Sequence, residues 1–186
     1  ITECTFGLPI YRWKEPTVLF NEINAWWRKN AADGVCSVIS AYSLGKAQRV
    51  MKGVDTAIGP ILVHGAVANM NTVLQDCGLE LPTWELITPA TPKERFRNAL
   101  MITPGSAIGT PWTNKMRPYA YAMASGCMQL RGWRRRGNLD TGFVLSDHAD
   151  WDALLLAVKE TGAERIIATH GYTDLFSQYL RSVGYN

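Results

Sequence analysis

Two stretches near the C-terminal end decide how the chain is read: Ser146-Asp147-His148-Ala149-Asp150-Trp151 and Ile166-Ile167-Ala168-Thr169-His170-Gly171. Each places a histidine after a short apolar run, Phe143-Val144-Leu145 before the first and Arg165-Ile166-Ile167-Ala168 before the second. Such runs predict buried strands. Between them, Trp151 to Thr161 predicts one short helix with Leu154, Leu155 and Val158 on a shared face. Ligands collect outside the carboxyl ends of parallel strands, so a strand, helix, strand unit with a polar residue closing each strand is a natural site. The expectation is that His148 and His170 lie side by side at one edge of a sheet. A lone histidine after a strand is more often structural than functional. Two of them, flanked by Asp147 and Asp150, leave a functional pair and a structural pair equally open.

Working back toward the N-terminus, the same alternation recurs. Asn21 to Asn30 predicts a helix, with Phe20, Ile23, Trp26 and Trp27 as its apolar stripe and Gly34 as its stop. Val35 to Tyr42 is an apolar, β-branched strand. Ser43-Leu44-Gly45-Lys46-Ala47-Gln48 then opens a second helix, and Lys46 at its start makes a corner suited to phosphate. The spacing of a P-loop is absent. Pro60 to Gly65 predicts a strand ending in His64, read as structural or substrate-contacting rather than as a metal ligand, and Ala66 to Cys77 predicts a helix. After the loop from Pro82 to Pro92 and a helical turn at Lys93 to Arg97, Ala99 to Ile102 is a strand. Its exit is the glycine-rich Thr103-Pro104-Gly105-Ser106-Ala107-Ile108-Gly109. Trp112 to Tyr121 reads as loop leading to a short segment, Gln129 to Trp133 as an edge strand, and Arg134 to Asn138 as a basic turn. Alternating strands and helices with short connections predict an α/β fold with a parallel sheet.

With 186 residues, 47% of them hydrophobic, the chain has the size and composition of a globular α/β protein. No apolar run approaches the roughly 20 residues that span a bilayer, so no membrane partner is expected. The first residues lack the basic-then-apolar pattern of a signal peptide. Cys4, Cys36, Cys77 and Cys127 are scattered with no CxxC pair, which predicts reduced thiols and a cytoplasmic location. The net charge is +3, but Arg95 to Leu139 contains no Asp or Glu and carries Arg131, Arg134, Arg135 and Arg136 among its cations. Such a block attracts phosphates, although a charge run taken alone is more commonly a solvated face. The opening Ile1-Thr2-Glu3-Cys4-Thr5-Phe6-Gly7 reads like the end of a strand entering a turn, which predicts that the chain is the C-terminal part of something longer.

Five motifs in order carry a resemblance: Glu3-Cys4-Thr5-Phe6-Gly7, Ser43-Leu44-Gly45-Lys46-Ala47-Gln48, Thr103-Pro104-Gly105-Ser106, Ser146-Asp147-His148-Ala149-Asp150 and Thr169-His170-Gly171. Together they resemble the β-CASP nucleases, metallo-β-lactamase-fold enzymes that cut DNA or RNA. Glu3 resembles the family's motif A acid, His148 its motif B histidine and His170, 22 residues later, its motif C histidine. The strings Glu3 to Trp13 and Phe143 to Trp151 look most like one bacterial branch, the ligase-associated DNA exonucleases. The family's HxHxDH motif, which supplies most of its zinc ligands, is absent from this chain.

The resemblance implies residues 1–7 as the end of a first metallo-β-lactamase segment, 8–142 as the β-CASP cap and 143–186 as the return to the metallo-β-lactamase domain. It implies an αββα sandwich completed by the missing first half, with two zinc ions that activate water for attack on a phosphodiester. His170 would be a zinc ligand, His148 the general acid at the leaving oxygen, and Glu3 the carboxylate that orients His148. Lys46, Ser106, Arg134, Arg135 and Arg136 would hold the nucleic-acid backbone. The implied partners are DNA (or RNA), the missing half and a DNA ligase. A non-catalytic nucleic-acid-binding or assembly fragment, and an RNA-processing nuclease, stand as alternatives.

Overall fold

The computed structural model describes residues 1–136 and 139–185; within this range the side chains of Arg134 and Arg136 lie outside what is described. In chain order the elements are β1 (Thr2–Cys4), α1 (Pro16–Ala32), β2 (Cys36–Ser40), α2 (Lys46–Gly53), β3 (Ile61–Val63), α3 (Gly65–Asp76), β4 (Glu85–Leu86), β5 (Leu100–Thr103), α4 (Pro111–Asn114), β6 (Tyr119–Ala124), α5 (Arg131–Arg136), β7 (Thr141–Phe143), α6 (Trp151–Glu160), β8 (Ala168–Gly171) and α7 (Thr173–Ser182). The class is α/β with parallel sheets. The chain divides into two compact units, one of residues 1–13 with 146–186 and one of residues 14–145.

The larger unit is built on a six-stranded parallel sheet in the order β4-β3-β5-β2-β6-β7. Alternation along its strands feeds two cores. Ile39, Ile61, Val63, Leu100, Ile102, Ala122 and Ala124 face one core, shared with Leu19, Ile23 and Trp27 of α1, Val50 and Met51 of α2 and Val67 of α3. Cys36, Val38, Leu62 and Met101 face the other, covered by Ile87, Phe96, Met116 and their loops. Strands buried on both faces are mostly apolar, which is why β3 reads as a continuous run, while the buried Ser37, Ser40 and Thr103 interrupt β2 and β5. Each fully buried Ile, Leu or Met contributes roughly 1.5–3 kcal/mol.

Two expectations fail here. The segment read as an edge strand at Gln129 to Trp133 starts at the end of a 3₁₀ turn, Gly126–Gln129, and runs into α5, so Arg134 to Arg136 of the expected basic turn lie on a helix, while its Gly137 and Asn138 lie outside the described residues. The segment read as loop, Trp112 to Tyr121, already holds the first three residues of β6, which lies inside the sheet between β2 and β7. Its residues alternate Tyr-Ala-Tyr-Ala-Met-Ala, and small alanines facing α1 leave too little hydrophobic signal to announce a strand.

The smaller unit holds β1 and β8 as a two-stranded parallel sheet, with Cys4, Trp151, Leu154, Val158, Phe176 and Leu180 forming its core between α6 and α7. β8 runs over Ala168–Gly171 rather than Arg165 to Ala168, and it pairs with β1 through Thr2 to Cys4. The strands preceding the two histidines therefore belong to different sheets: β7 pairs with β6, and β8 pairs with β1. His148 and His170 do not follow neighbouring strands of one sheet edge.

Candidate functional site

The smaller unit gathers the N-terminal string and the C-terminal histidine motifs. Glu3 registers opposite Thr169, and Cys4 registers opposite Gly171, so the ladder skips His170. His170 sits at this bulge with φ +60, and Gly171 follows with φ +83. A non-glycine residue held in the left-handed region at a bulge is a strained placement that a fold keeps at sites of function. The strain is held by close packing. A Cβ added to Gly171 would meet the Cys4 carbonyl oxygen at 2.4 Å. The Cys4 thiol donates to the His170 carbonyl at 2.9 Å, and the Tyr172 N–H donates to the Cys4 carbonyl at 3.1 Å. Burial pushes the Cys4 thiol above its usual range, and the Glu3 charge adds to the effect. His170 itself is exposed.

His148 is positioned by its neighbours in sequence and by the N-terminal string. Its N–H donates to Ser146 Oγ at 3.1 Å, and its carbonyl accepts from Trp13 Nε1 at 3.0 Å. The Phe6 ring meets its imidazole edge-on at 6.0 Å between centroids, and Phe6 packs in turn against Tyr11 and Trp13. The Nδ1 atom lies 3.1 Å from Asp147 Oδ1, and the His148 side chain is 39% exposed. An Nδ1–H bonded to a carboxylate leaves Nε2 as the atom that exchanges a proton. Asp147 is the carboxylate that sequence reading named only as a flanking residue.

The other carboxylates have structural partners. Glu3 Oε2 accepts from the Thr5 N–H at 2.6 Å. Asp150 caps α6, with Oδ1 accepting from the Ala153 N–H at 3.0 Å and Oδ2 from the Trp13 N–H at 2.8 Å. An aspartate just before a helical apolar run is a readable capping signal. Among the described residues no group of three or more His, Cys, Asp or Glu could hold a metal ion.

In the larger unit, Lys46 opens α2 after Gly45, whose φ is +82. It is only 4% exposed, and its ammonium sits 4.3 Å over the Tyr42 ring. The turn is locked by Gln48, which accepts from the Gly45 N–H and donates to the Ser43 carbonyl and to Asn71 Oδ1. Lys46 and Gly105 line one hollow of about 90 Å³ at the carboxyl ends of β2, β5 and β6. Ser106, next to Gly105 in the 3₁₀ turn after β5, is exposed. Arg135 is exposed on α5. His64 caps α3, its Nδ1 accepting from the Ala66 N–H at 3.0 Å, so its role at that strand end is structural. Burial holds the His64 imidazole below its usual pKa.

No protein-family model matches the chain. The chain is similar to a protein of Opitutus terrae named "Probable DNA ligase", 28% identical over 184 residues. That likeness covers 99% of this chain and 18% of the relative, so the chain spans less than a fifth of the relative's length.

Proposed function

We propose that the chain is part of a phosphodiester-cleaving enzyme of the β-CASP type that acts on DNA. The observation that carries this reading is the left-handed, bulged His170 beside Glu3, in the same folded unit as a half-exposed His148 whose Nδ1 faces a carboxylate. DNA is favoured over RNA because the relative that the chain matches is named a DNA ligase. Further support comes from the β1–β8 pair. A two-stranded sheet is marginal by itself. Ile167, just before β8, is 48% exposed and offers apolar surface beside this pair.

Zinc in such sites is bound by several protein donors, usually completing a four-coordinate shell. The described residues of this chain do not make that set, and one imidazole from His170 would have to be joined by donors from outside it. The chemistry that belongs to this chain is the proton at His148 Nε2. With Nδ1 engaged by Asp147, protonated Nε2 would donate to the leaving oxygen as the phosphodiester bond breaks. Lys46, Ser106 and the arginines of α5 would hold backbone phosphates.

The second reading is a non-catalytic nucleic-acid-binding or assembly segment, favoured by the lack of a three-donor cluster among the described residues. One experiment separates the two. The longer protein that contains this segment is assayed for cleavage of labelled DNA, with His148→Ala and His170→Ala beside it and zinc measured in each. The expected result is a loss of roughly 10²- to 10⁴-fold in single-turnover rate for H148A with zinc retained. H170A should lose zinc. Wild-type protein without cleavage would leave the binding reading standing.

A further inference from the structure

The acid-free stretch from Arg95 to Leu139 supplies most of a second feature in the larger unit, apart from the hollow that Lys46 lines. β7 pairs with β6 only from Thr141 opposite Ala122 onward. Tyr119 to Tyr121 therefore have β2 on one side and, among the described residues, no strand on the other. Asp140 closes the upper end of this gap. Its N–H donates to the Tyr121 carbonyl at 2.9 Å, and its Oδ2 accepts from the Tyr121 N–H at 2.6 Å. What remains is a hollow of about 710 Å³ walled by Arg117, Tyr119, Tyr121 and Asp140.

Both rings in this wall are held. The Tyr121 hydroxyl is 2.9 Å from Ser40 Oγ, and the Arg117 guanidinium carbon lies 5.6 Å from the centroid of the Tyr119 ring. Arg117 is itself fixed by Nε donating to Asn114 Oδ1 at 3.2 Å. A second hollow of about 200 Å³ shares Arg117 and Pro118 with the first, and Lys93, Arg97 and Lys115 line it with a single carboxylate, Glu94. Four exposed cations thus run up to a half-buried tyrosine face.

We propose that these joined hollows bind single-stranded nucleic acid, with phosphates on Arg97, Lys115 and Arg117 and one base stacked against Tyr119. A cationic track beside a fixed aromatic face is how sequence-tolerant single-strand binding is built. A base paired in a duplex is stacked on its neighbours and cannot reach a ring set into a sheet, so the unpaired strand is the fitting occupant. The site lies at the end of β2 and β6 opposite Lys46, since Pro118 bonds Cys36 at the start of β2 whereas Lys46 follows its end. The inference rests on the nucleic-acid reading above and adds a binding track that the histidines do not explain.

The test is fluorescence anisotropy of a labelled oligodeoxythymidylate of about ten nucleotides against the intact chain. Tyr119→Leu keeps apolar bulk and removes the stacking face. It should weaken binding roughly five- to a hundredfold with the salt dependence unchanged. The pair Lys115→Gln with Arg117→Gln should lower the slope of log K against log salt by about 1.4, at roughly 0.7 per contact for single strands. Thermal unfolding of each variant checks that the fold is kept. On the unaltered chain, photo-crosslinking with 5-iododeoxyuridine in the oligonucleotide should tag Tyr119. Absence of binding by the parent, parental affinity in Y119L, or crosslinks only elsewhere would each overturn the proposal. None of these readouts needs cleavage, so a longer protein that hydrolyses nothing would sink the nuclease reading and leave this result intact.

Discussion

The Cys4 thiol and the His170 carbonyl are joined at 2.9 Å across the point where β1 and β8 lose register, so the strain at His170 is tied directly to a core residue of the neighbouring strand. The thiol's reach is what lets one extra residue stand out of β8 without orphaning its carbonyl. Two variants probe this. In Gly171→Ala the new Cβ meets the Cys4 carbonyl oxygen at 2.4 Å in a backbone with φ +83. Unfolding free energy should fall by about 2–4 kcal/mol. Cys4→Ala removes the donor and a small buried group, and should cost about 1–2 kcal/mol. Urea unfolding of both should rank G171A as the more damaging.

The contacts of His148 set up a comparison of two carboxylates. Asp147 Oδ1 faces Nδ1, whereas Glu3 bonds the Thr5 N–H. In the longer protein, Asp147→Asn should alter the pH profile of kcat/KM and lower the rate by roughly tenfold or more, since a general acid held in the wrong tautomer loses its function. Glu3→Gln should act more weakly. A larger effect from E3Q would mean that Glu3, not Asp147, orients the imidazole during turnover.

His64 should make the larger unit less stable in mild acid. Burial lowers its pKa, so the folded state binds fewer protons than the unfolded chain. The stabilising preference for neutral imidazole is complete above the unfolded value of about 6.5 and is lost as pH falls below it and through the lower folded value. The Nδ1 bond to the Ala66 N–H acts in the same direction, because a protonated Nδ1 cannot accept it. Asparagine can cap a helix without titrating. His64→Asn should therefore flatten the dependence of the unfolding midpoint on pH between about 5 and 7. An unchanged slope would assign that dependence to other groups.

Replacing Arg134, Arg135 and Arg136 together by Ala should weaken binding of duplex DNA about equally across sequences. The salt slope should fall by up to about 3, at roughly 0.9 per phosphate contact. A drop nearer one or two would mean that only part of the run contacts phosphates. A constant slope would return the run to a solvated face.

Much of the larger unit was legible in the residues themselves. β2, β3 and β5 are buried on both faces, and continuous runs such as Ile61-Leu62-Val63 can hardly be anything else. The Asp150 cap and the apolar face of α6 are local signals, readable because a helix terminus is satisfied within a few residues. His148 and His170 stood out as histidines after apolar runs, the basic window stood out by its lack of acids, and Glu3 entered only through the family resemblance.

Other features depend on partners far away in sequence. β6 was hidden because its core-facing positions are Ala122 and Ala124, whose small size makes sense only under α1. The bulge at His170 exists because β1, more than 160 residues earlier, ends its pairing at Cys4. The hollow beside Tyr119 is set by how far β7 runs along β6, a length decided by strand register rather than by any residue in the hollow. Local sequence specifies where hydrogen-bonding groups and apolar surface lie along the chain. Register and strand extent follow only when distant segments compete for the same edge, and that competition is settled by tertiary packing.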